Sequence, residues 1–296
     1  MKRLSRVLCA IAIDDRDRQV FAHALAFAQR QDAQLLLLHA TSPHVSLNRG
    51  ATERVAFLRQ LRSLAETAGI DIRVTVQTGP VDEIILLHAR ARQVDLIVLG
   101  TARDKEVRRG LSGWIAERVL RDAPCPTLVV PQTSEAEPSA TQPILCAVDF
   151  SPASHAAAQT AAQMSASGRH PVTLLHVVDR GGSGQSSVRR WIGAAEYDRA
   201  LGADALNKLR FMIPPPQRGA VEARVAVGEP AAEILSMADA LKPELLVIGA
   251  EARTRLGSRL FGKTAQLIRD SACPVLAVPA LKAARADDEK VTRLAA

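Results

Sequence analysis

The stretch that decides the fold is DLIVLGTARDKEVRRGLSGWIAERVLRDAPCPTLVVP, residues 95–131. It reads as a short apolar strand, a basic loop, a helix and a second apolar strand. The same order returns, with changes, in ELLVIGAEARTRLGSRLFGKTAQLIRDSACPVLAVP, residues 244–279. A repeat of this length indicates that the chain consists of two copies of one structural unit.

Outward from these stretches, apolar strands alternate with helices in the same order in both copies. Within the apolar run over 7–13, residues 7–11 match 144–148, and QLLLLHA (34–40) matches VTLLHVV (172–178). Alternation of strands and helices favours right-handed crossovers and a parallel sheet. We therefore predict an α/β fold of two tandem, doubly wound, Rossmann-like domains. Each is a five-stranded parallel sheet with helices on both faces.

The domain boundaries follow from the repeat. We predict a first domain over 1–131 and a second over 143–280. The segment QTSEAEPSATQ (132–142) has no large hydrophobic residue and is predicted to be a linker, and 281–296 is a charged tail. A helix over 188–211 is expected to be interrupted or bent near Gly202. The second helix of the chain is predicted to bury four apolar residues, namely Val55, Leu58, Leu61 and Leu64.

Composition narrows the classes of function. No stretch approaches the ~20 apolar residues of a membrane helix, so we expect a cytoplasmic protein without a membrane partner. The net charge of +7 suits an anionic partner or a solvated basic surface. Without aromatic interleaving or a recognition module, it disfavours nucleic acid. The four cysteines form no Cys-x-x-Cys pair, which favours small buried residues over zinc or disulfides.

Three local patterns have modest interpretations. His39 and His176 fall at matched positions in apolar strands, which is typical of core or strand-end histidines. In the DFS turn after Val148, Ser151 or Ser154 is predicted to cap the next helix. The segment GSRLFGKT (257–264) satisfies the P-loop pattern, but it begins eight residues after Gly249 instead of directly after a strand, so it does not indicate a nucleoside triphosphatase.

Several motifs occur together in a set order and spacing: DLIVLG, AERVLRDAPCPTLVVP, ILCAVDFSPAS (144–154), LLHVVD and ACPVLAVP. In these motifs the chain resembles the universal stress protein family in its tandem two-domain form, over nearly its whole length outside linker and tail. The resemblance implies a non-enzymatic stress-response protein that binds or senses a ligand and acts through partners. It also implies that edge strands pair the two domains as an intrachain pseudo-dimer. A homodimer of two chains stays open.

ATP-binding members of that family carry Gly-x-x-Gly, nine residues, and then Gly-Ser or Gly-Thr, with an Asp at the end of the first strand. Glycine lets the backbone approach the ligand, and the free N–H groups of a helix start receive phosphate oxygens. The resemblance places the following residues of the second copy at such a site: Asp149, Val178, Gly249, Ala252, Gly262, Lys263 and Thr264. Ala252 replaces a glycine, and Lys263 replaces the hydroxyl residue with a point charge suited to phosphate.

The first copy departs further from the pattern. Gly100 and Gly113 are kept, but Arg103 replaces a glycine, Trp114 the hydroxyl residue and Ala12 the Asp. A Trp at the helix start crowds a phosphate. We therefore expect the ligand, ATP or AMP (with Mg²⁺ if it is ATP), in the second domain. A weak ATP hydrolase and a ligand-free scaffold are the alternatives.

Overall fold

The computed structural model describes residues 4–13, 17–41, 51–101, 115–131, 142–165, 170–179, 194–213, 220–250 and 261–280. In the first half, the strands are β1 Arg6–Ile11, β2 Gln34–Thr41, β3 Ile72–Thr78, β4 Leu96–Gly100 and β5 Thr127–Val130. The helices are α1 Asp17–Gln31, α2 Ala51–Thr67, α3 Val81–Ala91 and α4 Ile115–Asp122.

The second half repeats this order. Its strands are β6 Ile144–Ala147, β7 Val172–Asp179, β8 Val221–Gly228, β9 Leu245–Ala250 and β10 Val275–Pro279. Its helices are α5 Pro152–Ser165, α6 Ala194–Met212, α7 Pro230–Leu241 and α8 Phe261–Asp270.

All ten strands form one sheet in the order β3-β2-β1-β4-β5-β10-β9-β6-β7-β8. Within each half the paired strands are parallel. β5 and β10 pair antiparallel, with Thr127 opposite Ala277 and Val129 opposite Val275. The predicted fold class and the pairing of the two halves through these strands are therefore confirmed. Pairing also removes two apolar edges that would otherwise be open to other chains.

The core has two layers because successive strand residues face opposite sides of the sheet. Val7 and Cys9 of β1 belong to one layer and Leu8 to the other. Helices α1, α2, α5 and α6 supply the first layer, and α3, α4, α7 and α8 supply the second. Both faces of the sheet are therefore covered, as the continuous apolar strands predict.

All four cysteines are free and buried, which confirms their assignment to the core. They are Cys9, Cys125, Cys146 and Cys273. Burial raises the pKa of the Cys125 thiol to about 12, and it also raises the pKa of Cys146. Because the thiolate is the reactive form, these side chains act as small hydrophobic residues.

Two local predictions are wrong in part: the helix is not interrupted at Gly202, and only two of the four apolar residues of α2 are buried. α6 is continuous through Gly202, where an added Cβ would lie 3.9 Å from Val225 Cγ1, an ordinary contact distance. An isolated glycine destabilises a helix by only about 1 kcal/mol. The packing of α6 on β8 offsets that cost. In α2, Leu58 and Leu61 are buried, but Val55 and Leu64 are 47% and 48% exposed. α2 covers the outermost strand β3, where one sheet edge supports only part of a helix face.

An ion pair connects the halves directly. Arg30 of α1 donates from Nη2 to Glu244 Oε1 at 3.0 Å. His170 Nδ1 lies 3.3 Å from Glu244 Oε2 and 3.0 Å from the Gln142 carbonyl oxygen. The Glu244 side chain is only 9% exposed. The hydrogen bond from Arg30 offsets part of its loss of water, and Oε2 has no hydrogen-bond partner among the described residues.

No described helix combines the length and the apolar character needed to cross a membrane.

Candidate functional site

The candidate site lies where strand order reverses in each half. In the second half, β6 lies between β7 and β9. The helices on either side of this point cover opposite faces, and in sheets of this kind ligands bind beyond the carboxyl ends of the strands at such a point. Asp149 follows β6, and Gly249 lies near the end of β9. The corresponding positions of the first half, next to each other at β1 and β4, are Ala12 and Gly100.

Asp149 is exposed at this edge, and its side chain is hydrogen-bonded to the start of the following helix. Its Oδ1 accepts a hydrogen bond from the Ser151 N–H at 3.0 Å. Ser151 directly precedes α5, and its Oγ accepts from the Ser154 N–H at 3.2 Å, so Ser151 is the helix cap. Partial burial acts to raise the pKa of Asp149, but hydrogen bonds from Ser151 and Ser154 outweigh it and lower the pKa. The carboxylate is therefore ionised at neutral pH.

The turn after Asp149 has an uncommon backbone. Phe150 has φ of 64°, and the matched Ile13 of the first half also has φ of 64°. Positive φ is rare for such bulky residues. The Phe150 ring lies 4.5 Å from the His176 ring, and Lys208 Nζ lies 5.9 Å from its centroid. The turn therefore directs the side chain of Phe150 towards the core and leaves Asp149 at the edge.

The two matched histidines hold the ends of the first strands. His176 Nδ1 lies 2.7 Å from the Val148 carbonyl oxygen, and His39 Nδ1 lies 3.0 Å from that of Ile11. A carbonyl only accepts, so Nδ1 carries the proton in both rings. Burial lowers the pKa of His39, which is consistent with a neutral ring. The interpretation of both residues as core or strand-end histidines is confirmed.

Gly249 faces a helix. A Cβ at Gly249 would lie 2.5 Å from Ser154 N and 2.7 Å from the Ala153 carbonyl carbon. At Gly100, the described atom closest to a Cβ would be Val20 Cγ2, at 3.1 Å. The space that the sequence assigned to a ligand is thus filled at Gly249 by the first turn of α5. Here glycine is needed for helix–strand packing.

The first turn of α8 contains Gly262, Lys263 and Thr264. The first N–H groups of a helix have no partner inside it, so this turn can receive an anion. Lys263 Nζ is 3.1 Å from Asp179 Oδ2 at the end of β7. Asp179 is a residue that sequence reasoning missed, although LLHVVD ends on it.

The remaining predicted residues divide into two groups. Val178 is the next-to-last residue of β7, before Asp179, and its side chain is buried, so only its backbone is available to a ligand. Ala252, Arg103 and Gly113 lie outside the described residues. The structure thus brings Asp149, Val178, Gly249 and the α8 start to one edge of the second half.

Two doubly wound units, each with a strand reversal and joined in one sheet, define a tandem α/β protein. The sequence model of the Universal stress protein family matches residues 4–131 and 140–279. The chain therefore belongs to the universal stress protein family.

Relatives and solved structures agree with this assignment. A universal stress protein of Methanocaldococcus jannaschii is 33% identical over 121 residues, covering 36% of this chain and 71% of the relative. One from Mycolicibacterium smegmatis is 26% identical over 216 residues, 73% of this chain and 71% of the relative. The structure of an Archaeoglobus fulgidus universal stress protein superimposes with a TM-score of 0.65 at 19% identity, covering 96% of this chain and 97% of the other. That likeness shows the fold.

Proposed function

We propose that this protein binds an adenine nucleotide, ATP or AMP, in the crevice of its second half, and that it acts in a stress response through partners. The observation that carries this proposal is the position of Asp149 and the α8 start on the two sides of one strand reversal. The first supplies a fixed acceptor and the second supplies donors for an anion.

Each side suits one part of a nucleotide. Ionised Asp149 uses part of its acceptor capacity on Ser151, and a carboxylate has about four acceptor positions. It can therefore accept a hydrogen bond from a hydroxyl group of the nucleoside. Lys263 adds a positive charge to the N–H groups of the α8 turn, which suits phosphate. If the ligand is ATP, Mg²⁺ would accompany its phosphates.

Isothermal titration calorimetry with ATP and with AMP tests the proposal. The wild type should bind one nucleotide per chain. Asp149→Ala and Lys263→Ala should each weaken binding about tenfold or more, because each removes a polar contact of about 1.5–3 kcal/mol. Lys242→Ala is the matched control, since Lys242 is an exposed lysine at the other end of the second half. No heat change at millimolar nucleotide would leave only the scaffold hypothesis.

A phosphate-release assay on the same samples separates binding from hydrolysis. The proposal expects ATP to be bound and recovered unchanged. Release of phosphate by the wild type, abolished in Asp149→Ala, would favour the hydrolase. A nucleotide that binds equally well to all the variants would place the ligand elsewhere.

The first half is proposed to be the degenerate copy. Its strand end offers Ala12 in place of a carboxylate, and its matched helix start follows Trp114. Its contribution is then structural, as the other member of the intrachain pair. Association of two whole chains into a homodimer would use surfaces other than β5 and β10, because these strands already pair with each other.

A further inference from the structure

The ion pair between Asp179 and Lys263 crosses the proposed crevice. Asp179 ends β7, and Lys263 lies in the helix that follows β9. β6 lies between β7 and β9 in the sheet, and Asp149 lies two residues beyond the end of β6. The 3.1 Å contact from Lys263 Nζ to Asp179 Oδ2 therefore connects elements on both sides of the strand that precedes Asp149.

The pair belongs to the second half alone. Aligned through His39 and His176, Asp179 corresponds to Ser42. Aligned through Gly113 and Gly262, Lys263 corresponds to Trp114. Neither residue of the first copy carries a charge. The lysine that replaces the hydroxyl residue and the carboxylate that holds it thus occur in the same copy as Asp149.

The Asp179 carboxylate is paired with the same ammonium group, that of Lys263, with which a phosphate would pair. A phosphate monoester carries about two negative charges at neutral pH, and it would meet Lys263 already paired with Asp179. The side chains are 57% and 38% exposed, and exposed pairs are weak. A ligand can therefore displace Asp179, but displacement weakens its binding.

We propose that Asp179 is an internal competitor for the ligand's phosphate: it pairs with Lys263 in the free protein and is displaced when a nucleotide binds. This inference rests on the proposed function. It makes nucleotide affinity depend on a competition between two anions for one ammonium group. It also predicts that the affinity for nucleosides without phosphate does not depend on Asp179.

Calorimetric titration of ATP and of adenosine, in a chelating buffer without Mg²⁺, tests this competition. Asp179→Asn should bind ATP about fivefold more tightly than the wild type, the factor expected from losing an exposed ion pair of up to about 1 kcal/mol, and adenosine with unchanged affinity. In a Lys263→Met background, Asp179→Asn should give a smaller gain. The gain should also shrink at high salt. Glu222→Gln is the matched control, because it breaks another exposed ion pair of the same half, with Arg224 on the edge strand β8.

The outcomes separate the two hypotheses. If the wild type binds ATP and Asp179→Asn binds it equally or less tightly, the competition is overturned and the proposed function stands. If no variant binds ATP or adenosine, both are overturned. Binding by Asp179→Asn alone would support both. An equal gain in Glu222→Gln would overturn the competition, since it would reflect net charge only.

Discussion

At the end of the first strand, the first half places Ala12 and Ile13 where the second places Asp149 and Phe150. Both Ile13 and Phe150 have φ of 64°, and a matched histidine holds the strand end in both halves. The uncommon backbone is therefore present with and without the carboxylate. The turn is part of the shared fold, whereas the fold forms without the carboxylate that Asp149 provides.

The largest expected difference between the halves concerns their matched glycines. Gly249→Ala should lower the free energy of unfolding by about 3 kcal/mol, because its methyl group would overlap backbone atoms of α5 that cannot move independently. Gly100→Ala should cost about 1 kcal/mol, since the Val20 side chain can adjust. Urea denaturation followed by circular dichroism measures both. Equal losses would show that the two helix starts pack alike.

A second difference lies in the acidic residue before the fourth strand of each half. Asp95 accepts hydrogen bonds from the backbone N–H groups of Ser5 and Arg6, within its own half. Glu244 instead forms an ion pair with Arg30 of the other half. Arg30→Ala should lower the free energy of unfolding by about 2 kcal/mol, because it leaves a buried carboxylate short of a partner.

Arg62→Ala is the control for this variant. It breaks the exposed pair with Glu66 inside α2 and should cost less than about 0.5 kcal/mol. A double-mutant cycle of Arg30→Ala with Glu244→Gln should show coupling of about 1 kcal/mol or more. Additive effects in urea denaturation would mean that the contact between the halves contributes nothing.

The strands β5 and β10, which join the two halves, differ at two matched positions, Thr127 against Val275 and Val129 against Ala277. The Thr127 hydroxyl is buried and has no hydrogen-bond partner among the described residues. Thr127→Val should therefore raise the free energy of unfolding by about 1 kcal/mol, seen as a higher melting temperature. Val275→Thr should have the opposite effect. A lower melting temperature for Thr127→Val would indicate a hydrogen bond to that hydroxyl.

The smallest effect concerns pH. The pKa of Asp149 is lowered in the folded chain, so its stabilising contribution is present above the usual Asp pKa of 3.8 and is lost as pH falls through the folded value. Asp149→Asn should be slightly less stable than the wild type near pH 7. The difference in melting temperature should vanish towards pH 2. A difference that persists there would come from packing instead of charge.

Strand and helix positions could be predicted because buried strands are continuous apolar runs and the repeat checks each assignment twice. The exposed sides of α2 could not, since burial of Val55 and Leu64 depends on how far the sheet extends beneath that helix. At the candidate site, the carboxyl edge could be predicted from the order of strands and helices, and the residues from the family resemblance; their role in binding stays a prediction. The partner of Lys263 could not, because Asp179 lies 84 residues away and only the folded sheet brings them together.

The antiparallel contact between β5 and β10 also fixes the ratio of the two kinds of half at one to one. A complex of separate chains joined in this way would dissociate on dilution. Here both strands belong to one molecule, so their pairing is intramolecular and does not depend on the concentration of the protein. Every molecule therefore contains one carboxyl edge with Asp149 and one without it, whatever the abundance of the protein.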